Sequence, residues 1–151
     1  MNVGEICERD TVTIRPQEDL LAAAQLMREK HVGFLIVVEP AVAEGAWHPV
    51  GVLTDRDVVI TVVAREANPR SLRVEDVMTR KPAQIQADES LDAALREMRR
   101  VGVRRLPVVG ERGALYGVIS LDDVLARLSD QLQHVAGSIR SEQRVELALR
   151  P

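Results

Sequence analysis

Two stretches of this chain place a hydroxyl three residues before a carboxylate, just where an apolar run ends. They are Gly51-Val52-Leu53-Thr54-Asp55-Arg56-Asp57 and Gly117-Val118-Ile119-Ser120-Leu121-Asp122-Asp123. A strand that opens directly into a helix exposes free backbone N–H groups and the positive end of the helix dipole, which suits a phosphate. Thr54 or Ser120 could join that anion cradle. Asp57 or Asp123, one turn on, could accept hydrogen bonds from ribose hydroxyls, as acids do in other nucleotide folds. The same spacing is also that of a capping box, in which hydroxyl and acid satisfy a helix start without any ligand. Such a cap is worth about 1 kcal/mol. Spacing alone leaves both readings open.

Other chemistry finds little support. His31, His48 and His134 are far apart and follow no metal-ligand spacing. His31 falls at the expected end of a helix, where a cation is simply favourable. Cys7 has no base nearby in sequence, and neither Gly-x-Ser-x-Gly nor a P-loop occurs. The chain is therefore not expected to be an enzyme, and no catalytic or metal-binding residue is assigned.

The elements that position the two turns come from a repeat. Leu20-Leu21-Ala22-Ala23-Ala24-Gln25-Leu26-Met27 returns as Leu91-Asp92-Ala93-Ala94-Leu95-Arg96-Glu97-Met98, 71 residues later (20 to 91). Leu20, Ala23, Ala24 and Met27 follow helical spacing, as do Leu91, Ala94, Leu95 and Met98. Pro16 and Ser90 lie where the two helix entries are expected. Strands are expected at Phe34 to Val38 and Arg105 to Val109, at Val50 to Leu53 and Leu115 to Ile119, and at Val12 to Ile14 and Ala83 to Ile85. Each unit thus reads β-α-β-β-α behind a linker turn, Val3 to Cys7 or Val74 to Met78. The fold class is α/β (α+β). Neither unit can bury a good core alone, so the pattern predicts two units packed through their sheets about a pseudo-twofold. The stretch Asn68-Pro69-Arg70-Ser71 divides them, giving a first repeat over 1–67, a second over 71–128 and a helical tail over 129–151.

In that tail Leu121, Leu125, Leu128, Leu132 and Val135 form a heptad-like stripe of only about two heptads, which predicts cover for the core or for a partner subunit. Gly137 and Ser138 are expected to break it. The copies also differ in one loop: Glu39 to Pro49 in the first, with the chain's only Trp, Trp47, beside His48, against Gly110 to Ala114 in the second.

Composition narrows the class. Hydrophobic residues make up 46% but aromatics only 2%, so aliphatic packing must supply the core. One cysteine allows no intrachain disulfide, and no run approaches the ~18 apolar residues of a membrane span. These features point to a soluble cytoplasmic protein without membrane contact. A net charge of −3 gives no general attraction to nucleic acid. Six arginines against two glutamates lie between Arg96 and Arg112, but no aromatic platform accompanies them, so nucleic acid is not an expected partner.

Taken in order and twice over, the Gly-x-x-Thr/Ser-x-x-Asp turns, Val74-Glu75-Asp76-Val77-Met78-Thr79 and Val103-Arg104-Arg105-Leu106-Pro107-Val108-Val109 are specific as a set. Over roughly residues 1 to 128 the chain resembles a tandem pair of cystathionine-β-synthase-type (CBS) domains, a Bateman module. The resemblance implies two clefts that often bind adenosine compounds such as AMP, ADP or ATP, with S-adenosylmethionine or NAD also possible. It implies frequent face-to-face homodimers and no required cofactor. Carried over, it gives Asp123 to the ribose, Ser120 to the ribose-phosphate edge, and Arg104 and Arg105 to the phosphates. Leu106 and Pro107 with Thr79, Ala83 and Ile85 would form the adenine slot. In the first repeat Thr54, Arg56 and Asp57 remain, but Gly33, Phe34 and Ile36 stand where Arg104, Arg105 and Pro107 stand in the second. The expectation is a stronger site on Asp123 and a weaker one on Asp57, in a regulatory nucleotide sensor acting in trans on an unknown protein target. The alternative is a ligand-free interaction and dimerisation module.

Overall fold

Aliphatic periodicity resolves into the same elements twice. The first repeat runs through α1 (Val3–Ile6), β1 (Thr13–Ile14), α2 (Leu20–Lys30), β2 (Phe34–Pro40), β3 (Trp47–Thr54) and α3 (Asp55–Val58), which widens into a π-helical turn over Val59–Val63. The second runs through α4 (Val74–Val77), β4 (Thr79–Arg80), β5 (Ile85–Gln86), α5 (Leu91–Val101), β6 (Arg105–Val109), β7 (Leu115–Ser120) and α6 (Leu121–Leu149). The structure, a computed structural model, describes residues 1–42 and 45–150, so two residues of the expected Glu39-to-Pro49 loop lie outside the described residues. Helix α5 starts on Ser90 as expected, whereas α2 is capped by Asp19, whose Oδ1 accepts from the Ala22 N–H at 2.7 Å, and not entered at Pro16.

The fold is mixed α/β with two small sheets, ordered β1-β2-β3-β4 and β5-β6-β7. In each, a short parallel strand flanks an antiparallel hairpin, and a bulge falls at the equivalent place, Val37/Val38 and Val108/Val109.

The sequence reading missed how the two sheets are joined. Strand β4 follows the linker but pairs with β3 of the first repeat, Thr79 opposite Val52. Reciprocally, Glu8 bridges to Val118 on β7, with hydrogen bonds of 2.9 Å in both directions. The lead-in helices follow the same exchange. Val3 donates to the Glu89 carbonyl at 2.9 Å, and Val74 donates to the Glu18 carbonyl at 2.8 Å. One packing cluster therefore joins Leu20, Leu35 and Leu53 to Val74 and Met78, and the other joins Leu106, Val108 and Ile119 to Val3, with Ile6 and Cys7 against it. Each repeat completes its core with the other's lead-in.

The glycine of each Gly-x-x-Thr/Ser-x-x-Asp run makes that crossing possible. A Cβ at 117 would lie 2.5 Å from the Glu8 carbonyl oxygen and 2.9 Å from Cys7 Sγ. A Cβ at 51 would collide with the Met78 side chain and stand 3.1 Å from the Thr79 carbonyl oxygen. At 117 the obstacle is backbone, whereas at 51 it is mainly the movable end of Met78.

Helix α6 corrects another expectation. It continues unbroken through Gly137 and Ser138 for 29 residues. Glycine in an exposed helix costs only about 1 kcal/mol relative to alanine. Ser138 turns its hydroxyl back to the His134 carbonyl at 2.9 Å, so its competition with the helix is absorbed within it. Leu125, Leu132, Val135 and Ile139 are all exposed along this helix.

Candidate functional site

Strand β6 alternates, and its alternation decides what reaches the surface between the repeats. Leu106 and Val108 turn into the core, while Arg105 and Pro107 line a cleft of about 640 Å³. The same cleft is lined by Thr54, Arg56 and Asp57 from the β3–α3 turn and by Val52 of β3. The lead-in of the second repeat adds Thr79, Lys81 and Ala83, and Arg104 closes the rim.

This placement corrects the expected grouping. Arg104, Arg105, Pro107, Thr79 and Ala83 stand with Thr54, Arg56 and Asp57, not with Ser120 and Asp123. The exchange of lead-ins is the cause, since Thr79 is hydrogen-bonded into the β3 edge and travels with the first repeat's turn. Ile85 and Leu106 do not line the cleft at all; both are buried in the second packing cluster. Lys81 and Asp55 line it and were not anticipated. Only the sheet exchange brings Lys81 there, so no local pattern could have singled it out.

The pseudo-equivalent cleft is smaller, about 260 Å³, and is lined by Glu8, Asp10, Val12, Gly33, Phe34 and Ile36 among others. Its lining contains two carboxylates, His31 and a single arginine, Arg105, which lines both clefts and lies over the Phe34 ring at 6.0 Å from its centroid. Gly33 leaves room for the Asp55 carboxylate, which would have to turn away for the counterpart arginine to stand there. A Cβ there would lie 2.6 Å from Asp55 Oδ2.

Both Thr/Ser-x-x-Asp turns are closed capping boxes. The Thr54 N–H donates to Asp57 Oδ2 at 2.9 Å, and the Asp57 N–H donates to Thr54 Oγ1 at 3.2 Å. Ser120 and Asp123 do the same at 2.8 and 3.1 Å, and the Ser120 hydroxyl also donates to Asp123 Oδ2 at 2.8 Å. Each carboxylate retains a second oxygen, so capping and ligand binding are compatible. Arg104 meets Asp122 at 3.8 Å with both side chains 72% exposed. An exposed pair of this kind is worth at most about 1 kcal/mol, so the guanidinium is easily turned to another anion.

Behind the second turn, burial pushes the Cys7 thiol above its ordinary value of 9.0, offset in part by the nearby Arg9 charge. No group of three or more His, Cys, Asp or Glu among the described residues could hold a metal ion. Among the described residues no helix is long and apolar enough to cross a membrane.

Comparison with known proteins agrees with this architecture. An uncharacterised protein of Methanopyrus kandleri is 33% identical over 125 residues, which is 83% of this chain and 61% of that protein. Hypoxic response protein 1 of Mycobacterium tuberculosis is 31% identical over 130 residues, 86% of this chain and 82% of that protein. A crystal structure of Hypoxic Response Protein I, with two coordinated zinc ions, superposes with a TM-score of 0.70 at 28% identity, over 83% of this chain and 98% of that one. The CBS domain pair of protein MJ0100, in complex with 5-methylthioadenosine and S-adenosyl-L-methionine, shares the fold with a TM-score of 0.72 at 20% identity, over 87% of this chain and 98% of that one. The CBS domain family model matches residues 3–64 and 74–130, and the chain belongs to that family, as a tandem pair.

Proposed function

We infer that this protein is a regulatory module that binds an adenosine nucleotide, AMP, ADP or ATP, in the cleft between Asp57 and Arg104, and acts in trans on a protein target. One observation carries the reading: Arg56, Lys81, Arg104 and Arg105 converge on the cleft that also holds the Thr54–Asp57 helix start. Guanidinium forks suit phosphate oxygens, and the free oxygen of Asp57 suits ribose hydroxyls. Pro107, Val52 and Ala83 supply apolar contact for a base. The adenosine compounds held by the MJ0100 pair support the ligand class, with S-adenosylmethionine and NAD as further candidates. The zinc in Hypoxic Response Protein I belongs to that protein. The reading includes a homodimer in the cytoplasm, with the exposed apolar side chains of α6 and of the π turn (Val59, Ile60, Val63) as the contact surface.

The second reading is a ligand-free interaction module. It is favoured by the completeness of the two capping boxes, which leave no backbone donor of Thr54, Asp57, Ser120 or Asp123 waiting for a ligand. A thermal-shift screen of the full chain with AMP, ADP, ATP, S-adenosylmethionine and NAD separates the two. A ligand at 100 times its dissociation constant stabilises the fold by about 2.7 kcal/mol. An upward shift with an adenine nucleotide is expected. No shift with any of the five at millimolar concentration would leave the interaction module as the better account.

A further inference from the structure

A third cleft, of about 610 Å³, lies at the opposite end of the sheets, where the β2–β3 loop of the first repeat meets the Ala114–Tyr116 segment of the second. Strand β3 separates it from the nucleotide cleft: Trp47 and Thr54 sit at its two ends, roughly 23 Å apart at 3.3 Å per residue. Among the described residues the two clefts share no lining residue.

Two arginines define this cleft, and each is held against an aromatic ring. The Arg9 guanidinium lies 3.5 Å from the Tyr116 ring centroid, and its Nε donates to the Tyr116 carbonyl at 2.7 Å. Arg15 lies 4.9 Å from the Trp47 ring centroid. Its Nε is buried and has no hydrogen-bond partner. Thr11 and Thr13 add hydroxyls between them, and no carboxylate lines the cleft among the described residues. Stacking fixes the planes of both guanidinium groups while leaving terminal N–H donors available, an arrangement suited to a tetrahedral oxyanion.

The pseudo-twofold supplies a control. At the equivalent positions of the second repeat, Thr11, Thr13 and Arg15 become Pro82, Gln84 and Gln86, and Tyr116 becomes Val50 of the first. Arg9 is kept as Arg80, but among the described residues that guanidinium has no ring to stack on there and donates to the Glu75 carbonyl at 2.9 Å. Trp47 begins β3, two residues before the point at which the second repeat's shorter strand β7 starts. The full set, two arginines each against an aromatic ring with two threonines between them, therefore occurs at one end only.

We propose that Arg9, Arg15, Thr11 and Thr13 form a second anion site, which takes the phosphate or diphosphate group of a small ligand independently of the nucleotide cleft. Trp47 is the chain's only tryptophan and reports on it directly. Titrating the full-length protein with pyrophosphate and with inorganic phosphate should change Trp47 fluorescence saturably in the millimolar range or below. Arg15→Gln and Arg9→Gln should each weaken the response by at least about tenfold, the loss expected for a charge-assisted hydrogen bond. Arg15→Lys should fall between Arg15→Gln and the natural protein, because it keeps the charge and loses the fork. Arg9 is exposed, so its variant serves if Arg15→Gln lowers the melting midpoint. A fluorescence change reproduced by sodium chloride at matched ionic strength would overturn the site, as would wild-type affinity in both glutamine variants or no response of the natural protein. A tighter response to succinate than to pyrophosphate would overturn the phosphate assignment.

Discussion

Arg104 and Arg105 stand beside one inter-repeat cleft where Gly33 and Phe34 stand beside the other, and the backbone around both pairs is the same. Each pair begins the central strand of its sheet, behind a left-handed residue at a helix end, His31 in one case and Gly102 in the other. The first cleft is lined by four cations and two carboxylates; the second has Glu8, Asp10, His31 and the shared Arg105. Duplication preserved the scaffold while the side chains at its mouths diverged. The difference teaches that a binding residue here cannot be assigned to a site by the repeat in which it occurs. The lead-in exchange pairs each turn with the opposite repeat's strand, so each cleft is a joint product of both.

The exchange gives the sharpest test of that comparison and the largest expected effect. Gly117 faces backbone, the Glu8 carbonyl, whereas Gly51 faces mainly the flexible end of Met78. Gly117→Ala should destabilise the protein by about 3 kcal/mol and Gly51→Ala by about 1 kcal/mol, because a methionine can move aside and a paired strand cannot. Urea unfolding of the two variants measures this. Equal costs would mean that the two crossings are not tight to different degrees.

Next comes ligand affinity. Asp57→Asn and Arg104→Gln should each weaken AMP or ATP binding by at least about tenfold in calorimetry, while Asp123→Asn should change it by less than about twofold. A larger loss in Asp123→Asn would return the nucleotide to the Ser120–Asp123 turn and break the assignment built on the arginine pair.

Legibility from sequence followed the range of the interaction. Helices α2 and α5 and strands β2 and β6 were visible because their apolar spacing is local. The pairing of Glu8 with Val118 spans 110 positions of chain (8 to 118) and leaves no local mark, so the sheet exchange went unseen. That single omission grouped Arg104, Arg105 and Thr79 with Asp123, whereas they line a cleft together with Asp57. Leu106 and Ile85 were misplaced for a different reason. Strand alternation already puts Leu106 on the opposite face from Arg105 and Pro107, so the information was present and the resemblance overrode it. Gly137 was misjudged because glycine signals a break only where the helix gains nothing by continuing. Here its neighbours on both sides remain helical and a Cβ there would meet nothing within 4 Å.

The capping boxes separate the repeats by a smaller margin. Ser120 starts a helix of 29 residues and makes three hydrogen bonds with Asp123, whereas Thr54 starts a four-residue turn and makes two. Ser120→Ala should cost about 1.5 kcal/mol and Thr54→Ala about 0.5 kcal/mol in the same urea assay, within the usual range for lost caps. If Thr54→Ala leaves stability nearly unchanged but lowers nucleotide affinity, its hydroxyl serves the ligand as well as the helix.

The smallest effect distinguishes the two lead-ins. Cys7 and Met78 occupy equivalent places at the crossings, but only Cys7 can titrate. Burial holds its thiol neutral in the folded chain and raises its pKa above the 9.0 of an exposed thiol. As pH rises through that value the unfolded chain loses the proton first, so the unfolded state binds fewer protons and stability falls with pH. The loss begins near the unfolded pKa and is complete once the folded thiol ionises as well. Below pH 9.0 the stability of Cys7→Ala relative to the natural protein should therefore be flat, and above it the gap should move in favour of the variant. A gap that stays constant through pH 10, roughly one unit above the exposed value, would show that the thiol ionises as readily in the fold as out of it. The crossing at Gly117 would then be open to water, and the tighter packing inferred there from the Glu8 carbonyl would have to be given up.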